Sequence, residues 1–387
     1  MDILYISPEF PPNYSNFVRS LHEEGIRVWA IGETDFYSMP ADLRACICWY
    51  VRTDLKNWRM AEQAIHELLE IKHAQGFEGA FDWAESHNEA WLRLEAFINE
   101  RFEIPGITLQ GIDLLKKKSV MKRLFQEAGL RVARGAVVSS TGEAVRLAGE
   151  LGYPLILKPN EGVGAGGTHR VDDRAQLEDI FPTLREDYIM EEFVDAPIVT
   201  YDGLTDDAGS VVFENTLIYG EGLIEYARGM DTFFYVGRRV PQRLTEIGAA
   251  LVARFGIRRK FFHFEFFVVD GDYVPIEINC RPPGGAIIDM MNYSINGDLY
   301  RAWARMLAGR PLELPEEKKY FVGYIGRKDT PHALSHDELA ARLGACLVEY
   351  AENPSIYWEV MGRHRYLVRA EAEAQILEFA AAAREEG

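Results

Sequence analysis

Hydrophobic and polar positions alternate along this chain in two rhythms, and the switch between them marks its elements. Short apolar runs, ILYIS at residues 3–7 and RVWAIG at 27–32, bracket a polar, helix-like segment that ends at Glu24 and Gly25. Strand, helix and strand at that spacing predict a βαβ unit. Residues 59–74 (RMAEQAIHELLEIKHA) carry helical periodicity, and FDWAESHNEAWLRLEAFINERF predicts a second amphipathic helix beginning near Glu85 or Ser86. A helix over 113–128, stopped by Gly129, is followed by a strand near 136–139, a helix over 141–150 and the strand YPLILKP. Next come a glycine-rich stretch, a helix over 173–181, the strand-like DYIMEEFV, a hairpin turning at Asp206 to Gly209, and the helix QRLTEIGAALVARFG. The tail reads as a strand (KYFVGYIGR), a helix (HDELAARLG), a strand near 345–350 and a last helix rich in Ala and Glu.

The most informative stretch is FFHFEFFVVDGDYVPIEINCRPPGG, from Phe261 to Gly285. Two apolar, aromatic and β-branched runs flank Asp270-Gly271-Asp272, which predicts a β-hairpin. With those three residues as the loop, Val269 pairs with Tyr273, Glu265 faces Glu277, and His263 faces Asn279, with Arg281 further along the same face. Two carboxylates directly opposite one another repel, and leaving them unpaired among Phe and Val costs several kcal/mol more. A hard divalent cation relieves both, and carboxylate plus amide oxygens suit Mg²⁺. The competing reading is a solvated, merely acidic hairpin face. A metal held by few protein groups keeps positions open for substrate phosphates.

Composition narrows the partners. The chain has 387 residues, 48% hydrophobic, with a net charge of −18, enough for two or three compact domains. That charge argues against nucleic acid and against an anionic membrane surface, while local basic clusters still admit a small anionic ligand. No run of 18 apolar residues and no signal-peptide pattern is visible, so a protein of a reducing cytoplasm is expected. The four cysteines have no metal-ligand spacing, and Cys46 and Cys48 are expected to pack on one face of a strand.

Gly162, Gly164 and Gly167 match G-x-G-x-x-G, but they lead into the extended THRV rather than into a helix, which rejects a dinucleotide fingerprint. A glycine loop between strands instead predicts a flap whose backbone N–H groups can close over phosphate oxygens. Lys158 ends the preceding apolar strand, placed to meet a phosphate as a point charge. Four pieces in this order resemble the ATP-grasp superfamily: KSVMKRLFQEAGL, YPLILKPNEGVGAGGTHRV, IMEEFV, and FHFEFFV with PIEINCRPPGG. The resemblance covers about residues 110–310, nearest to the carboxylate-amine ligase and carbamoyl-phosphate synthase-like branch.

The resemblance implies an α/β fold, α+β in its ATP-binding part. Residues 1–110 would form an N-terminal α/β domain, 111–194 a small subdomain with the lysines and flap, 195–312 a large subdomain with the metal hairpin, and 313–387 a C-terminal extension. Lys118 and Lys158 would contact nucleotide phosphates under Gly164, Gly166 and Gly167. Glu191 and the backbone of Glu192 and Val194 would read adenine, with Phe193 lining its pocket. Glu265, Glu277 and Asn279 would hold one or two Mg²⁺ (or Mn²⁺) ions. Arg281, with Lys158, would act on the transferred phosphoryl group, and Gly284 and Gly285 would approach the substrate. Where many members carry a ribose-binding glutamate this chain has Ile198, and Asp202 nearby is the substitute. Glu225, Arg228 and His263 are candidate substrate groups. The implied function is an ATP- and Mg²⁺-dependent ligase that joins a small carboxylate to an amine, cytoplasmic, with a homodimer allowed. A bicarbonate-activating carboxylase and a non-catalytic nucleotide-binding protein are the alternatives.

Overall fold

The apolar run at the N-terminus becomes β1 (Asp2–Ile6), buried along its whole length because neighbours cover both its edges and both its faces. The computed structural model describes residues 1–162, 166–220, 226 and 229–385. β1 pairs in parallel with β2 (Arg27–Gly32) and β4 (Trp83–Glu85), and β3 (Ile47–Arg52) pairs with β2, in the order β3-β2-β1-β4. The expected N-terminal α/β unit is therefore present. The expected helix at Glu85 is not: Trp83, Ala84 and Glu85 form β4, and the helix starts at Leu92. Pairing with β1, some 80 residues away, outweighs the local helical pattern. Cys46 ends a short helix and packs, half-buried, against the core, while Cys48 is exposed on β3, so the two do not share one packed strand face.

A second, four-stranded antiparallel sheet holds β5 (Gly135–Val138), β6 (Leu155–Pro159), β7 (His169–Val171) and β8 (Tyr188–Glu192) in the order β5-β8-β6-β7. It packs its own core, with Val138, Leu155, Leu157, Val171 and Met190 against Ala144 and Ala148 of the helix Thr141–Leu151. The helix expected over 113–128 is two helices, Leu109–Lys116 and Lys118–Glu127. Extended backbone at Lys117 (φ −94°, ψ 112°) separates them, which puts Lys118 in a first helical turn. Asn160 anchors that turn, accepting from the backbone N–H of Lys118 (2.8 Å) and of Ser119 (2.9 Å).

The third sheet is the largest. It runs β14 (Asp272–Asn279), β13 (Phe261–Val269), β9 (Ile198–Thr205), β11 (Leu217–Tyr219), β12 (Thr232–Val236), β15 (Phe321–Arg327), β17 (His364–Ala370) and β16 (Leu347–Glu352), with β10 (Val211–Asn215) also on β9. All its pairings are antiparallel. β15, β16 and β17 thus extend the sheet that carries the 261–285 hairpin, across the boundary expected at residue 312. One apolar core joins this sheet to the N-terminal unit: Tyr5 and Phe17 meet Phe261, Trp303 and Tyr324. A second core packs the helix Gln242–Phe255 on β9 and β13, where Gly248 leaves space for the ring of Tyr201; a Cβ there would lie 2.1 Å from Tyr201 Cδ1. Among the described residues, no helix is long and apolar enough to cross a membrane.

Candidate functional site

The 261–285 hairpin forms, by a different route from the simple count. Its loop is two residues, Asp270 (φ 54°) and Gly271 (φ 80°), both left-handed as a type I′ turn demands. Val269 therefore pairs with Asp272 rather than Tyr273, and Phe266 with Pro275. Continued at that register, Glu265 would face Ile276. A bulge between Glu265 and Phe266 absorbs Ile276 and restores the pairs Glu265–Glu277 and His263–Asn279. Pro275, which has no N–H to give the ladder, lies beside that irregularity.

The carboxylates already have protein cations. Lys118 Nζ lies 3.0 Å from Glu277 Oε2, and Asn279 Nδ2 donates to Glu277 Oε1 at 3.3 Å. Burial raises the Glu277 carboxyl, but Lys118 and Lys158 outweigh it and hold the pKa below the usual glutamate value. Glu265 is partnered by His263 Nε2 at 3.2 Å, while His263 Nδ1 lies 2.6 Å from Asp202 Oδ1. Burial lowers the imidazole pKa, yet the charge of Asp202 and its hydrogen bond, with Glu265, lift it to about 9. His263 is thus a buried cation between two carboxylates, not an open substrate group. Asp202 is likewise enclosed, at 0% exposure. Its Oδ2 accepts from Thr200 (2.7 Å) and Asn215 (3.1 Å), so it anchors His263 and offers no free oxygen to a ribose.

The other lysine sits on β6. Lys158 Nζ is 2.8 Å from Glu191 Oε2, and Lys122 pairs with the other oxygen of the same carboxylate. Burial disfavours charge on Lys158, but Glu191, Glu277 and Glu265 overcome it and raise its pKa. Both Glu191 oxygens are occupied by lysines, so in this arrangement its carboxylate positions cations. Lys122 was not foreseen, although it follows Lys118 by four residues and so shares its helix face. At the end of β8, the N–H of Glu192 donates to Arg134 O and its carboxylate binds Arg134 Nε at 2.7 Å. The N–H of Phe193 donates to Pro154 O, and the Arg170 guanidinium lies 4.4 Å from the Phe193 ring centre. Val194 follows, half-buried.

Arg281 leaves the hairpin beside Glu89 (Nε to Oε2 3.7 Å), and Lys116 holds Glu89 Oε1 at 2.6 Å. The turn after Arg281 is gripped by the proline-rich loop that follows β1. Tyr14 donates to both Pro282 O and Pro283 O at 2.9 Å, and Asn13 Nδ2 donates to Gly285 O at 2.8 Å. Gly285 is left-handed (φ 60°) and lies against Met361, while the space beside Gly284 is open. Nothing local in the sequence announces contacts across 270 residues. Gly166 and Gly167 follow the end of β6; Gly164, Glu225 and Arg228 lie outside the described residues.

The donor set fits a hard cation. Glu265 and Glu277 are paired across adjacent strands with Asn279 two residues on, and no hydrogen bond or ion pair reaches Glu265 Oε2 among the described residues. No cluster of three or more His, Cys, Asp or Glu with metal-holding geometry occurs among the described residues, so a cation here would need oxygens from a ligand as well.

Comparison with known proteins places these residues in context. Residues 151–289 match the model of the ATP-grasp domain, as the motifs implied. The chain is 26% identical over 228 residues to the arginine-specific carbamoyl phosphate synthase large chain of Bacillus subtilis (strain 168), covering 55% of this chain and 22% of that protein. It is 24% identical over 266 residues to an L-arginine-specific L-amino acid ligase of Bacillus subtilis, covering 65% and 62%. It therefore spans less than two thirds of either relative. Among solved structures, the L-amino acid ligase from Bacillus licheniformis superposes with a TM-score of 0.70 over 98% of this chain and 95% of that one, at 16% identity. That likeness is one of fold.

Proposed function

We propose that this chain, which carries an ATP-grasp domain, is an ATP- and Mg²⁺-dependent ligase that activates a carboxylate as an acyl phosphate for attack by an amine. The observation that carries the reading is the convergence of three segments on one spot. Lys118 from a helix start reaches Glu277 on the hairpin, and Asn160, two residues after Lys158 at the end of β6, holds that helix start through the N–H groups of Lys118 and Ser119. Two cations and two carboxylates that share a largely buried site are suited to a polyphosphate with its metal.

In this reading Lys118 and Lys158 leave their glutamates to bind phosphate oxygens, and Lys122 keeps Glu191 neutralised. Glu265, Glu277 and Asn279 would hold one or two Mg²⁺ (Mn²⁺ in its place), which when bound neutralises phosphate charge. The β8 end at Glu192 to Val194, with Phe193, borders the adenine. Arg281 meets the phosphoryl group as it moves, since a guanidinium suits its oxygens bidentately. A substrate carboxylate oxygen attacks the γ-phosphorus and ADP leaves. The uncharged amine then attacks the carbonyl carbon, the C–O bond to phosphate breaks, and the amine's proton leaves with the phosphate. Closure of the glycine stretch over the nucleotide would keep water from the anhydride. The substrates are small molecules and the compartment is the cytoplasm.

The test is ADP release from MgATP across pools of organic acids and amines. Release that needs one acid and one amine together is expected. Release with bicarbonate and no organic acid would favour a carboxylase or carbamoyl-phosphate type, the kind of enzyme named among the relatives. Binding of ATP with no release in any pool would favour a non-catalytic protein.

A further inference from the structure

Beyond the Arg281–Gly285 turn lies a pocket of about 360 Å³, large enough for a small metabolite. Chain segments far apart in sequence close it: Asn13 after β1, Gly285 and Asp289 after the hairpin, Asn353 and Tyr357 after β16, and Arg365 on β17. It starts four residues from Arg281, and Asn13, which grips Gly285 O, forms part of its wall.

The charges around it do not balance. Arg365 is engaged: Nε lies 2.9 Å from Glu349 Oε1 and Nη1 is 3.2 Å from Asn353 Oδ1. Glu352, also on the wall, is held by Arg363 Nε at 2.8 Å. Asp289 has no cation within ion-pair distance among the described residues. Its side-chain partner is the Tyr300 hydroxyl, which donates to Oδ1 at 2.8 Å, and no other side chain hydrogen-bonds the carboxylate among the described residues. Burial pushes its pKa up to about 6, with the Tyr300 bond opposing, so at neutral pH it is still mainly a carboxylate. A carboxylate half-enclosed beside a cavity, with a neutral partner on one oxygen, lacks a positive charge. The remaining wall is largely carbon from Pro12, Pro354 and Met361.

We propose that this pocket is the subsite for the amine substrate and that Asp289 reads its ammonium group; this rests on the ligase reading above. The amine would then enter beside the Arg281–Gly285 turn with its body against the proline and methionine wall, and pass one ammonium proton to the Asp289 carboxylate before its nitrogen attacks the acyl phosphate.

Thermal-shift titration with n-propylamine and L-alaninamide, against 1-propanol and propionate of similar size, tests it. The two amines should raise Tm saturably, and the alcohol and the acid should not. In Asp289→Asn, which keeps the shape and lets Tyr300 still donate, the half-saturating amine concentration should rise about ten-fold or more. Tyr300→Phe, which removes only the hydroxyl, should keep the amine response. The proposal is overturned if the amines do not stabilise the wild-type protein, if propionate matches propylamine, or if Asp289→Asn titrates like wild type. Titration of the same proteins with MgATP separates the two readings. MgATP binding without amine selectivity sinks the subsite alone, and amine selectivity without MgATP binding sinks the ligase reading.

Discussion

Glu277→Gln should lower turnover by about 10³-fold or more while the chain stays folded, because phosphoryl transfer depends on charge neutralisation at fixed positions. Glu277 faces Glu265 across the hairpin and is the partner of Lys118 at 3.0 Å. Glutamine keeps the shape and a carbonyl oxygen that can still accept from Lys118. It removes the cross-strand repulsion with Glu265, which offsets part of the lost ion pair. What it cannot supply is the anionic oxygen for a divalent cation. Steady-state ADP release together with far-UV circular dichroism checks both halves. Turnover within about ten-fold of wild type would remove the hairpin from the metal site.

The second large effect concerns stability. Lys260, the residue before β13, is 3% exposed and lies 2.6 Å from Glu85 Oε1 and 2.7 Å from Glu95 Oε1. Glu85 ends β4 and Glu95 lies in the helix Leu92–Arg101, so one ammonium joins the N-terminal sheet to the large one. Burial raises the carboxyl of Glu95 to about 7, with the Glu85 charge adding to it. Glu85 is held near 2, where burial is overcome by the charge and hydrogen bond of Lys260. The two carboxyls thus already compete for one cation. Lys260→Met strands both, and removal of one partner of a buried ion pair costs about 3–5 kcal/mol, a large share of typical stability. Urea unfolding should show that loss, and Glu95→Gln added to Lys260→Met should return part of it. A loss under about 1 kcal/mol would mean the network is not what holds the two units together.

The sequence disclosed local strand pairing better than long-range closure, for physical reasons. The pairing of Glu265 with Glu277 was legible because side chains alternate and Asp-Gly marks the turn. It survived a wrong loop length only because the Ile276 bulge offset the shorter turn. The lysine at the end of LILK was legible as a charge closing an apolar strand. The protein cations beside the hairpin were not: Lys118 stands against Glu277 and His263 against Glu265, and neither contact can be seen from spacing alone. β4 was misread because three residues paired to β1 carry too little pattern to outvote the helix beside them. The union of β15, β16 and β17 with the hairpin's sheet rests on pairings such as Phe234 with Tyr324, separated by 90 residues. The pocket at Asp289 depends on the same long-range closure.

A carboxylate activated as an acyl phosphate would pass an oxygen atom to the released phosphate. The most direct measurement of that transfer uses the organic acid that stimulates ADP release, labelled with ¹⁸O in its carboxylate, with the released phosphate analysed by mass. If the carboxylate oxygen attacks the γ-phosphorus and departs on phosphate when the amine enters, each turnover transfers one ¹⁸O atom to inorganic phosphate. Unlabelled phosphate, with both labelled oxygens kept by the organic molecule, would contradict the account.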